Sequence, residues 1–322
     1  MKRYLFPLLS IVLLIFPFQT KAQYQKVNSN NLDIYYRIYG EGPPILILGG
    51  GPGDNSNRYI SLCELLSKDF QCVLVDQRGT GNSSPEVYDS TTISVSLTLK
   101  DFEVLREHLG LKEWTVLGFS YGGYLASLYT NGYPGSISHL ILLESMGLNT
   151  DVFEHFLDNI NSKLLPSDLE LFNYWNDSLR VAENPHHALV EKIRARMPGY
   201  FYDREKSLIV SQSMKDSDFN FEVGPWIWRD IIDNDMDLTK QTSNFDKPVL
   251  IIHGRQDPVG ESVAFTLSDH YKYSTLVFVE KAGHYSWIEQ PDHVHDSIKR
   301  FLSSIQKEAY YGKSKRNRNC YH

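Results

Sequence analysis

The sequence predicts an α/β fold in which a mostly parallel sheet carries helices on both faces and is interrupted by an inserted helical segment. Three observations carry that expectation. Apolar runs of strand length alternate with stretches of helical spacing up to about residue 146; from about Gly147 to Phe245 no comparable strand run occurs; the alternation then resumes. Continuous apolar strands joined by short connections point to parallel strands covered on both sides.

The elements follow in order. "LDIYYRIYG" and "PPILILGGGPG" read as strands, followed by a helical stretch near Tyr59 to Lys68 and the strand "FQCVLVDQRG". In "SLTLKDFEVLREHLG" the apolar Leu97, Phe102, Leu105 and Leu109 recur at close to helical spacing, and Gly110 is a helix stop. The strand "WTVLGF", a helix from Tyr121 to about Thr130 and the strand "SHLILLES" complete the first part of the core, residues 23–146. The insertion, 147–245, is helical in flavour and rich in aromatics and acids. The second part of the core, 246–308, supplies the strands "PVLIIHG" and "STLVFVE" and a final helix "HVHDSIKRFLSSIQKEA". No internal repeat or low-complexity tract is present.

At the start of the chain Lys2 and Arg3 precede an apolar run from Tyr4 to Phe18, and the small residues Thr20 and Ala22 prepare a cut before Gln23. Residues 1–22 are expected to be a signal peptide, which implies export to a periplasmic or extracellular location. The apolar run is shorter than the ~20 residues that span a bilayer; left uncleaved, it would anchor the chain to the membrane. The basic residues 309–322 are expected to be a disordered tail.

The 322 residues are 42% hydrophobic, an ordinary globular composition. Lys and Arg number 32 against 39 Asp and Glu, a formal charge of −7; without Lys2, Arg3 and Lys21 it is −10. An acidic chain argues against a nucleic-acid or acidic-membrane partner. Three cysteines are too few for a disulfide scaffold and lack zinc spacing. Cys63 and Cys72 could pair, but Cys72 lies in "QCVLVD", where a buried free thiol fits equally. His293 and His295, two apart on a helix, do not share a face, and no H-E-x-x-H occurs, so neither a metal nor another cofactor is implied.

The chemistry centres on "VLGFSYGG", Val116 to Gly123, where a G-x-S-x-G ends a strand and opens a helix. That turn lifts the Ser120 hydroxyl above the sheet, with Gly118 and Gly122 leaving room for it. A serine hydroxyl needs a base held in the right tautomer by a carboxylate. Asp257 follows the strand "PVLIIHGRQD" and His284 follows "STLVFVEKAGH", both at carboxyl ends of strands, where open α/β sheets place their sites. The order Ser, Asp, His is that of the α/β-hydrolases. The loop "GGGPG", Gly49 to Gly53, lets backbone approach a substrate, and the amides of Gly51 and Tyr121 are the expected oxyanion donors. A phosphate loop is the competing reading, but neither a Walker nor a dinucleotide-binding glycine pattern is present there.

Bland readings compete at each position. Asp257 in "RQDP" could be a turn aspartate, and His284 has the rivals His253, His186 and His187. Phe219, Phe221, Trp226 and Trp228 read as core more readily than as pocket. Arg78 in "DQRGTGNSS" reads as a structural loop residue.

With "GGGPG", "DQRGTGNSS", "DFEVLREHLG", "GFSYGG", "HGRQDPVG" and "AGHYSWIEQP" in that order, the sequence resembles the proline iminopeptidase group of α/β-hydrolases over about residues 30–145 and 246–305. Where that group has H-G-G-P-G, this chain has Gly49 in place of the histidine. The resemblance implies Ser120 as nucleophile, His284 as base, Asp257 as orienting acid, and an insertion folded as a helical cap. It also implies an acid in the cap that binds the substrate's α-amine, for which Glu222 is the candidate. The expected activity is a serine hydrolase releasing N-terminal proline, or another small apolar residue, from short peptides. A carboxylesterase or other small-molecule hydrolase is the alternative, and a non-catalytic hydrolase-like binding protein the remote one. The substrate partner is accordingly a small peptide or ester.

Overall fold

The computed structural model describes residues 22–240 and 243–303. The leader expected over 1–22, save Ala22, the basic tail over 309–322 and Cys320 lie outside them. Strand β1 (Gln25–Ser29) turns into β2 (Leu32–Tyr39) through Asn30 and Asn31, both at positive φ, 48° and 62°. Two-residue hairpin loops need left-handed residues to match strand twist, and asparagine tolerates that region. The sequence reading missed β1, whose residues are mostly exposed and polar.

From there the chain alternates: β3 (Pro44–Leu48), α1 (Ile60–Leu66), β4 (Gln71–Val75), α2 (Val95–His108), β5 (Trp114–Phe119), α3 (Tyr121–Gly132) and β6 (Ile137–Leu143). Ser94 starts α2 by accepting from the Leu97 amide, and Gly110 at φ 68° ends it as the sequence suggested. Between β6 and the next strand lie six α-helices and no strand among the described residues: α4 (Phe153–Asn161), α5 (Pro166–Trp175), α6 (Ser178–Glu183), α7 (Pro185–Arg196), α8 (Arg204–Ser213) and α9 (Val223–Asp233). Proline in the first turn opens α5 and α7, while Asp177, Asn184 and Asp203 cap α6, α7 and α8 through their side chains. The core then resumes with β7 (Val249–Gly254), α10 (Glu261–His270), β8 (Ser274–Val279), α11 (Ser286–Glu289) and α12, helical over 291–303.

The eight strands form one sheet in the order β1-β2-β4-β3-β5-β6-β7-β8. β2 runs antiparallel to both its neighbours and the remaining pairs are parallel. Side-chain alternation divides the core in two. Leu46, Val116, Leu142 and Ile251 face Phe102 of α2, Leu125 of α3 and Leu267 of α10, whereas Ile47, Leu117, Ile141 and Ile252 face Leu62 of α1 and Ile298 of α12. Both faces being covered, all six residues of β5 are buried, which is why the strand reads as an unbroken apolar run.

Two loop features tie down the ends of these strands. Arg78, after β4, makes a two-pronged contact with Asp101 of α2 at 2.8 and 2.6 Å, and both side chains are buried. Cys63 on α1 and Cys72 on β4 are buried free thiols.

Candidate active site

Ser120 stands between β5 and α3 at φ 55°, ψ −121°, a backbone conformation that costs a non-glycine residue energy and is held only by its surroundings. Those surroundings are the Leu143 carbonyl, which takes the Ser120 N–H at 3.1 Å, and the amides of Met146 and Gly123, which donate to the Ser120 carbonyl at 3.1 and 2.9 Å. The flanking glycines are spatial requirements. A Cβ on Gly118 would strike the Gly122 carbonyl, one on Gly122 the carbonyls of Leu48 and Gly49, and one on Gly123 the Ser145 side chain at 2.5 Å.

The loops after β7 and β8 bring Asp257 and His284 together. His284 Nδ1 lies 2.9 and 3.1 Å from the two Asp257 carboxylate oxygens. An ionised carboxylate only accepts, so Nδ1 carries the proton and Nε2 is left as the basic nitrogen. The imidazole is further fixed by its backbone amide, which donates to the Tyr200 carbonyl at 2.6 Å, and by the Phe119 ring 4.8 Å away. Burial alone would raise the Asp257 carboxyl; the imidazoles of His284 and His253 and the hydrogen bonds from His284 and the Val259 amide outweigh it, holding Asp257 below its ordinary range. Asp257 is thereby kept ionised throughout the neutral range.

Ser120 and His284 line one cavity of about 170 Å³ with Gly50, Gly51 and Tyr121. The Gly50 N–H is already engaged, donating to the Tyr59 hydroxyl at 2.7 Å. Tyr121 opens α3, where the first N–H groups have no partner inside the helix. Gly51 and Tyr121 both border the cavity that Ser120 lines. The opposite wall comes from the inserted helices: Phe153 and Phe156 of α4, Ile193 of α7, then Met197, Tyr200 and Phe219. The segment carrying Phe219 is stitched to the glycine loop, since the Asn220 amide donates to the Gly53 carbonyl and the Asn55 amide to the Asp218 carbonyl, each at 2.8 Å.

The expected amine-binding acid is not brought to this cavity. Glu222 is exposed at the start of α9 and is not among the lining residues, because its neighbour Val223 turns inward against Gly53 and Gly79 while Asn220 bonds the Gly79 carbonyl at 2.8 Å. Phe219 lines the cavity, whereas Trp226 and Trp228 pack against the core. Among the rival histidines, none of His253, His186 and His187 lines the cavity. Burial holds His253 below its ordinary pKa.

Several residues here escaped the sequence reading. Asp54 and Arg58 line the cavity as an ion pair, the Tyr59 hydroxyl donates to Asp54 Oδ2 at 2.8 Å, and Arg58 donates to the Tyr285 hydroxyl at 2.9 Å. Position was the available signal, since Asp54 directly follows "GGGPG". Glu144, at the end of β6, is fully buried at φ 43°, with the Ser286 side chain and the Gly254 backbone beside its carboxyl. Burial, with the nearby Asp257 charge, pushes its pKa well up. Among the described residues no group of three or more His, Cys, Asp or Glu side chains is arranged to hold a metal ion.

A family model described as alpha/beta hydrolase fold matches residues 43–291. The chain is 31% identical over 282 residues to a proline iminopeptidase of Lactobacillus helveticus (strain DPC 4571), covering 81% of this chain and 90% of that relative. It is 25% identical over 299 residues to a proline iminopeptidase of Saccharolobus solfataricus, covering 85% and 90%. Among solved structures it is similar to a proline iminopeptidase-related protein from Thermus thermophilus, with a TM-score of 0.66 at 21% identity over 88% of this chain and 98% of that one. A thermophilic esterase from Thermogutta terrifontis gives a TM-score of 0.66 at 20% identity, over 88% and 99%. These two structural likenesses speak to fold alone.

Proposed function

The chain belongs to the α/β-hydrolase family, in its proline iminopeptidase-like group, and on that premise we propose that it is a serine aminopeptidase releasing N-terminal proline, or another small apolar residue, from short peptides. The observation that carries the reading is the cavity itself. Ser120, on its strained turn, and His284, whose Nδ1 is tied to Asp257, both line it under a roof of apolar and aromatic side chains. Its volume lies below the roughly 300–1,000 Å³ of drug-sized sites, which suits one residue's side chain.

In this mechanism His284 Nε2 takes the Ser120 proton as Oγ attacks the substrate carbonyl. The Gly51 and Tyr121 amides take up the developing negative charge. His284 then hands the proton to the departing amine, and a water activated by the same nitrogen releases the acyl group from Ser120. Asp257 stays ionised and keeps the imidazole in the tautomer that both steps require.

The same nucleophile and oxyanion donors also suit a carboxylesterase, and the roof favours that second reading, since the residues it lends to the cavity include no carboxylate. Comparing kcat/KM on a proline anilide, its N-acetylated form and a short-chain ester separates the two. The aminopeptidase reading expects the free anilide to exceed the acetylated one by at least ~10-fold; equal rates on the two anilides, or turnover of the ester alone, would contradict it. We further propose export by the leader over residues 1–22, for which a mature chain beginning at Gln23 is the signature.

A further inference from the structure

An enzyme that selects a free α-amine must hold it with an acceptor near the nucleophile. Among the residues lining the cavity the one carboxylate is Asp54, supplied by the glycine loop rather than by the inserted helices. Resting on the aminopeptidase reading above, we propose that Asp54 is the amine-binding residue and that Oδ1 is the atom which accepts from the substrate's ammonium group.

The geometry distinguishes the two oxygens of this carboxylate. Oδ2 is occupied by the Arg58 guanidinium and by the Tyr59 hydroxyl at 2.8 Å. No donor among the described residues reaches Oδ1, and the Asp54 side chain keeps 15% exposure. Its partner is immobilised from three sides. Arg58 contacts Asp54, donates to the Tyr285 hydroxyl at 2.9 Å and lies 4.6 Å from the centre of the Phe219 ring. The backbone is anchored as well, with Asp54 bridging Phe219 and the neighbouring Asn55 amide bonded to Asp218. Asp54 is thus a preorganised acceptor with one oxygen committed to the protein and one open.

The same connections tie amine binding to the reacting centre. Asp54 holds the Tyr59 hydroxyl, which holds the Gly50 amide, and Gly50 adjoins the Gly51 donor. Because Arg58 balances the Asp54 charge, recognition rests on a short-range hydrogen bond, and KM for free-amine substrates should respond weakly to ionic strength.

The test is Asp54→Asn, which keeps size and an acceptor for Arg58 while removing the charge, measured on a proline anilide and on a short-chain ester lacking an amine. The expected result is a fall in kcat/KM on the anilide of roughly 10–100-fold, carried mainly by KM, that exceeds the loss on the ester by at least ~10-fold. Equal losses on both substrates would overturn the proposal, assigning Asp54 only the support of the glycine loop. Undiminished anilide turnover would overturn it too, placing the amine elsewhere. A wild-type enzyme that does not distinguish free from acetylated anilide would sink the aminopeptidase reading itself, and Asp54's role with it. Should the variant not fold, competitive inhibition of wild-type ester hydrolysis by proline amide, against N-acetylproline amide, is an independent readout. The proposal requires the free amine to bind at least ~10-fold more tightly; equal inhibition would overturn it.

Discussion

A fully buried carboxyl at the end of β6 is the residue on which the energetics of this site turn most sharply. Glu144 sits beyond β6 in the left-handed region, its amide held by the Ile252 carbonyl at 2.9 Å and its side chain fully buried. An ionised carboxylate there would be costly, so the group keeps its proton. Its folded pKa exceeds the unfolded value of about 4.3; the native state therefore binds more protons than the unfolded chain, and stability falls as pH rises above that range. A retained proton costs about 1.4 kcal/mol for each pH unit above the unfolded value, so Glu144→Gln should raise the Tm by several degrees at pH 8 and by less at pH 5. Thermal unfolding at the two pH values checks this, and an equal shift at both would contradict it. Sequence alone could not show Glu144: an acid closing an apolar strand looks like a surface residue until the loop after β7 and the start of α11 close around it. Ser120 was legible because its glycines obey a spatial rule that the structure meets atom by atom. Asp54 was not, because its pairing with Arg58 and Tyr59 exists only once the glycine loop has turned.

At the scale of elements, the site depends on loops that strands present and helices clamp. The loop after β4 is held by the buried Arg78–Asp101 pair, with Arg78 also reaching the Thr92 and Ser29 carbonyls at 3.3 and 3.4 Å. Burial raises the Asp101 carboxyl even with the guanidinium beside it. Removing one partner leaves the other charged and unpaired in the core, so Asp101→Ala should destabilise the fold by about 3–5 kcal/mol. Denaturant titration measures this; a loss under ~1 kcal/mol would mean the pair is replaceable by water. Central strands were legible because burial on both faces leaves no polar positions. β1 was not, since only its last residue is buried and its pairing is announced merely by two asparagines. The helices of the insertion were seen as a class but not resolved singly, because α5 and α6 bury almost nothing and so show little apolar periodicity.

Across the whole molecule, the sheet supplies the three groups of the proposed triad and the insertion supplies walls. β5, β7 and β8 deliver Ser120, Asp257 and His284 to one end of the sheet, while α4, α7 and the Tyr200 and Phe219 segments close the cavity above them. The glycine loop belongs to both halves, carrying Gly51 toward the serine and Asp54 toward the roof. Every step of the proposed reaction passes through the Ser120 hydroxyl, so the most direct test is kcat of the folded Ser120→Ala variant on the best substrate of the panel. A fall of at least ~10³-fold with unchanged thermal unfolding is expected. Turnover close to that of the wild type would contradict the proposed reaction.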